Sequence, residues 1–249
     1  MAAVATDTSL NKSFRFFEAY IGKKLLMAVT GVILFGYVVG HLAGNLQIFI
    51  PPRIVDGEYV YQINNYARFL HSNGGLLWVI RTFLLAAVIT HIWSSVLLWL
   101  QKRNARPVAY VKKDDVPAAY ASRTMMWSGP IIAAFILFHI LHLTVGSVGL
   151  GFREAAIGAG GEEQFYAFQN LVHGFRNPAV AGAYILAIVL LCTHLYHGIW
   201  SMFQSVGISH PRLTPALQRF AHWFAVLIAV GYISIPLAVL AGVVGSEVR

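Results

Sequence analysis

The chain has 249 residues, of which 57% are hydrophobic and only 11% charged, against about 25% charged in a soluble domain. That balance excludes a soluble globular enzyme and leaves an integral membrane protein with little mass outside the bilayer. The net charge of +8 falls mostly in the segments between apolar stretches, where it orients a membrane protein and meets lipid headgroups rather than nucleic acid.

A membrane crossing needs about 20 apolar residues. Five stretches meet that length, at about 25–48, 76–100, 126–150, 179–204 and 220–245. The expected fold is all-α: one domain over 1–249, a bundle of five transmembrane helices. The first twenty or so residues carry no signal-peptide core or cleavage site. Phe14, Phe16, Phe17 and Tyr20 mix with Arg15 and Glu18, a pattern suited to a surface-lying amphipathic segment.

The first span follows Lys23 and Lys24 and ends before Pro51 and Pro52. Gly36, Gly40 and Gly44 recur every four residues beside His41, on one helix face. Small residues there admit another backbone or a flat ring. The loop 53–75 carries Tyr59, Tyr61, Asn64, Asn65, Tyr66, Arg68 and His71 and predicts a short helix over the bundle end, with a quinone headgroup site beneath it as the sharper reading. The second span holds Arg81 and His91. A guanidinium inside a span wants an anion, such as a cofactor carboxylate, unless it snorkels. The basic connection 101–122 suits docking of a peripheral partner. The third span carries His139 and His142, and the fourth His194 and His197 with the single cysteine, Cys192, read as a small core residue. The fifth is expected to flank the bundle, kinked at Pro236.

Basic residues are asymmetric. Lys12, Arg15, Lys23 and Lys24 precede the first span. Lys102, Arg103, Arg106, Lys112, Lys113 and Arg123 separate the second from the third, and Arg212 and Arg219 the fourth from the fifth. The other side has Arg53, Arg68, Arg153, Arg176 and Arg249. This predicts a cytoplasmic N-terminus.

An imidazole deep in a span is costly and marks a functional site. Depth sorts these into pairs. His41 lies about 17 residues beyond Lys24, and His139 about 16 beyond Arg123, on spans running outward. His91 lies about 11 before Lys102, and His194 about 10 before Gln204, on spans running inward. Two His pairs at two levels suit two six-coordinate b-type haems, with His41 and His139 on one iron and His91 and His194 on the other. Depth does not choose between His139 and His142, or between His194 and His197. The unused member of each pair, and Arg81, are candidates for haem-propionate or quinone contacts.

Four segments carry a family resemblance: IGKKLLMAVTGVILFGYVVGHLAGNL, THIWSSVLLWLQKRNARPVAY, SRTMMWSGPIIAAFILFH and HLYHGIWSMFQSVGI. In order and on their spans, they resemble the five-span, two-haem cytochrome b subunit of succinate dehydrogenase/fumarate reductase. The resemblance implies ligation by His139 rather than His142, ten residues after Gly129, and by His194, which opens a His-x-x-x-Gly pattern, rather than His197. It further implies a flavoprotein and an iron–sulfur subunit on the cytoplasmic face of a bacterial inner membrane. Quinone, by the same likeness menaquinone, is the substrate, and the dicarboxylate site lies on a partner. A higher oligomer is compatible with it. Rival readings are a two-haem subunit of a formate dehydrogenase or nitrate reductase complex, and a haem-free transporter. The spans lack the Asp and Glu that a transporter would more readily show.

Overall fold

Helix breakers and caps, rather than hydropathy alone, set where each element starts and stops. The computed structural model describes residues 19–105, 120–148, 153–157, 161 and 163–247. The expected surface segment up to Glu18 and the centre of the basic connection, 106–119, lie outside the described residues. Helix α1 (Tyr20–Asn45) tightens into a 3-10 turn, Leu46–Phe49, ahead of Pro51. Helix α2 (Gln62–His71) is the short helix expected in the loop 53–75. Helix α3 (Gly74–Asn104) starts where the Asn73 side chain accepts from the Leu76 N–H at 3.1 Å, satisfying one of the orphan donors of a helix start.

Helix α4 (Tyr120–Ile140) continues into a π turn, Leu141–Val145. Gly146 stops it at φ +74°, a left-handed position that costs glycine nothing. The Ser147 N–H then donates back to the Leu141 carbonyl at 3.0 Å. Helix α5 (Ala167–Phe175) was not anticipated in the loop 151–178. Asn177 caps α6 (Pro178–Ser205), with Pro178 at the first turn where its missing N–H is harmless. Helix α7 spans Thr214–Leu240. It is shifted toward the N-terminus from the expected 220–245, because Pro215 suits a first helical turn and Gly242 takes a positive φ of +70°. The third span likewise stops at Val145 rather than 150.

Five helices, α1, α3, α4, α6 and α7, are long and apolar enough to cross a membrane. Among the described residues two short hairpins accompany the helices. Strands β1 (Arg53–Val55) and β2 (Glu58–Val60) pair antiparallel, with Ile54 opposite Tyr59, and β3 (Ala156–Ile157) pairs with β4 (Glu163–Gln164). Both hairpins are short excursions beyond the ends of the long helices.

The long helices form an open ring. Helix α1 packs on α3, α6 packs on α1 and α4, and α7 packs on α6 and, more lightly, α1. The diagonal pairs, α1 with α4 and α3 with α6, have at most marginal backbone contact, as do α3 and α4. Apolar burial is concentrated elsewhere. One core, including Leu42, Ile188, Cys192, Leu195, Ala225 and Ile228, runs along the α6–α7 seam. The other joins Ile48, Tyr61, Phe168, Val172, Phe175 and Tyr184 beneath α2 and α5. In the most apolar stretch of α3 only 11% of residues are buried, against 33% in α6. The outward face is apolar, with Trp127 76% and Trp223 68% exposed, as lipid contact requires.

Candidate functional site

The two diagonals of the ring are bridged by histidine side chains. His41 on α1 faces His139 on α4, with ring centroids 5.7 Å apart and planes at 86°. His91 on α3 faces His194 on α6, with centroids 6.2 Å apart and planes at 58°. Each meeting joins helices whose backbones stand off from one another, so the imidazoles project into the bundle centre.

The two meetings lie at different levels. Thr30 on α1 touches His91, and His41 follows Thr30 by eleven residues, about 16 Å along a helix rising 1.5 Å per residue. On α6, Tyr184 touches His139, with centroids 5.8 Å apart. His194 follows Tyr184 by ten residues, about 15 Å by the same rise. Two independent helices thus give the same spacing. Arg81 precedes His91 by ten residues on α3, which puts it at the level of His41. Its guanidinium sits over the Trp78 ring, 5.2 Å from the centroid.

The second histidine of each nearby pair has other neighbours. His142 is buried on the π turn, the kind of helix irregularity often found at functional sites. Its Nδ1 is 2.9 Å from the Tyr184 hydroxyl, and its ring stacks on Phe138. Gly174 on α5 presses against the other edge, where an added Cβ would stand 2.7 Å from Cε1. His142 is therefore a packed, hydrogen-bonded wedge between α4, α5 and α6. His197 turns to Trp200, with centroids 5.6 Å apart. Its Nδ1 and that of His194 are buried without a hydrogen-bond partner among the described residues.

The facing pairs can be compared with the spacing that a shared iron would require. Metal–imidazole bonds of about 2.0–2.1 Å, with each ring centre roughly 1.1 Å behind its nitrogen, put two axial rings about 6.3 Å apart, centre to centre. The His91–His194 separation of 6.2 Å lies at that value, and the His41–His139 separation of 5.7 Å is shorter, so those two rings would part to take up an iron. Two imidazoles are enough only where the rest of the coordination shell comes with the iron. Among the described residues no group of three or more His, Cys, Asp or Glu side chains could cage a bare ion. A porphyrin brings four of its own nitrogens and needs only an axial pair. The helix face next to His41 is open: a Cβ added at Gly36 or Gly40 meets nothing within 4 Å. Gly44, third in that series, instead lies against the Tyr66 ring.

The loop residues singled out above α1 serve as a lid. Asn64 donates to Gln169 at 3.1 Å and accepts from the Phe168 N–H at 2.8 Å, tying α2 to α5. Tyr61 stacks on Phe168 at 3.7 Å, and its hydroxyl donates to Glu247 at 3.3 Å. Burial, and then the neighbouring Glu247 carboxylate, push the Tyr61 phenol up to about 12.

Sequence reasoning passed over two residues. Thr30 is an ordinary span residue until its position one helix away from His91 is known. His222, at the start of the fifth apolar stretch, packs edge-on against Tyr196 and lies on the exposed side of α7, away from both facing pairs.

Comparison with protein-family models, curated proteins and solved structures finds no match for this chain, so the family likeness rests on the four histidine-centred segments alone.

Proposed function

We propose that this chain is the membrane anchor and electron-transfer subunit of a succinate:quinone oxidoreductase. In this reading it holds two b haems in a bacterial inner membrane, with its N-terminus in the cytoplasm. It exchanges electrons between an iron–sulfur partner on the cytoplasmic face and a membrane quinone of the menaquinone type. The dicarboxylate site belongs to the flavoprotein partner. One observation carries the proposal: two pairs of imidazoles face each other across the bundle diagonals, about 15 Å apart along its axis, with one pair at the spacing of a shared axial iron and the other shorter.

In each pair two imidazoles from diagonally opposed helices would take both axial positions. Bis-imidazole haem supplies reversible one-electron transfer, with no open position for oxygen or substrate. The protein's part is to fix those rings. Thr30 holds His91 from α1. Phe135 and Tyr184 flank His139, and Tyr37 stacks on His41 at 5.3 Å. The apolar helices exclude water, and Arg81 provides a cation at the level of the His41 pair for a carboxylate.

The visible spectrum and haem content of the native complex test this. Two haems per chain are expected, with sharp bands on reduction. A colourless, iron-free complex overturns it.

A further inference from the structure

Four imidazoles make up the facing pairs, and among the described residues only His91 has a hydrogen bond to its ring. Its Nδ1 lies 3.1 Å from Oγ1 of Thr30, a side chain only 5% exposed, and the ring also bonds the Met27 backbone, an acceptor that favours a ring N–H donor. The same hydroxyl lies 2.8 Å from the Leu26 carbonyl and 3.1 Å from the Met27 carbonyl. A hydroxyl has one proton to give. The Leu26 carbonyl, at 2.8 Å, is the nearest acceptor for that proton, and a hydroxyl that gives its proton to the helix has a lone pair to offer His91. The ring nitrogen facing it is then the donor. In that arrangement the ring proton sits on Nδ1, and Nε2 keeps a free lone pair. A Cβ added at Gly31 would lie 3.6 Å from Cε1 of His91, so α1 backs the ring at two successive residues.

We propose that Thr30 is the positioning residue of the His91–His194 pair. It locks His91 into the Nδ1–H tautomer and strengthens Nε2 as an axial donor, which lowers the reduction potential at that level of the bundle. The inference rests on the haem reading above. Its physical basis is a relay from ring N–H to hydroxyl to helix carbonyl, each bond polarising the next. Hydrogen bonding at the far nitrogen raises ligand basicity and favours the oxidised metal. Among the described residues His194 has no such partner on its own Nδ1, so the tuning is placed on the α1 side.

The test is a spectroscopic redox titration of the native complex carrying Thr30→Val, Thr30→Ser or Thr30→Cys. Valine keeps the shape and removes the hydroxyl. The expected result is a rise in the potential of one haem, the one missing from a His91→Leu complex, with the other unmoved. Thr30→Ser restores the wild-type value. Thr30→Cys, a weak acceptor, shifts it in the same direction by less, and supplies the reading if the valine variant does not accumulate. Unmoved potentials in Thr30→Val, or in an accumulating Thr30→Cys, overturn the proposal while leaving the haem reading intact. A shift of both haems, or of the His41–His139 haem alone, also overturns it. A haem-free wild-type complex overturns both.

Discussion

His41 and His139 meet edge to face, 5.7 Å between ring centres, on two helices with at most marginal backbone contact. That arrangement makes each ring replaceable without dismantling a packed seam. Replacing either by Leu is expected to remove one haem per complex and leave the haem held by His91 and His194. The reciprocal replacements, at His91 or His194, should remove the other. Quantified haem content with redox titration reads this directly. Retention of both haems in all four variants rejects the ligand assignment.

Much of this geometry was within reach of residue counting. Facing partners on antiparallel or parallel spans must share a depth, and a rise of 1.5 Å per residue turns sequence distance into depth. That pairs His41 with a histidine of the third span and His91 with one of the fourth. Choosing within His139 and His142 was not possible by depth, because residues three apart differ by less than a helical turn. The discriminating contacts come from elsewhere: Tyr184 and Gly174, on α6 and α5, capture His142. The helix α5 that brings Gly174 has no long periodic stretch to announce it. The hairpins were missed because two or three paired residues leave too short an alternation to recognise. Thr30 could not be singled out at all, since its role exists only once α1 and α3 are docked.

His142 is expected to be structural rather than a ligand. Tyr184→Phe strips the partner from a buried ring nitrogen, at a cost of about 1–3 kcal/mol, and should lower thermal stability while both haems stay six-coordinate. His197→Ala should likewise leave both irons low-spin. A high-spin signal in His197→Ala would show that His197, not His194, is the ligand.

Gly174 and Gly36 predict opposite responses to one added methyl. Gly174→Ala drives a Cβ to 2.7 Å from Cε1 of His142, and overpacking of this kind costs about 1–3 kcal/mol. The double variant with His142→Ala should recover part of that loss, which a thermal melt in detergent would register. Gly36→Ala meets no protein atom within 4 Å, so its protein packing should be unaffected. If it lowers haem content without a matching loss in the melt of the haem-free chain, the face of α1 beside His41 is lined by the cofactor.

The lid has its own pH signature. Tyr61 is a phenol whose ionisation is pushed up to about 12 by burial and by the adjacent Glu247, from an ordinary value of about 10. A raised value means that the folded protein favours the protonated phenol. Its contribution to stability is therefore complete below about pH 10 and is lost as pH climbs toward 12. Above that window the phenolate would face Glu247 across the bond that now ties the lid to the turn at Glu247. Thermal melts between pH 9 and 12 should show a fall that Tyr61→Phe flattens. Ultraviolet titration should show a late tyrosine ionisation in the wild-type complex that is absent from Tyr61→Phe. An unchanged alkaline profile in the phenylalanine variant would mean that the Tyr61–Glu247 contact does not hold the lid.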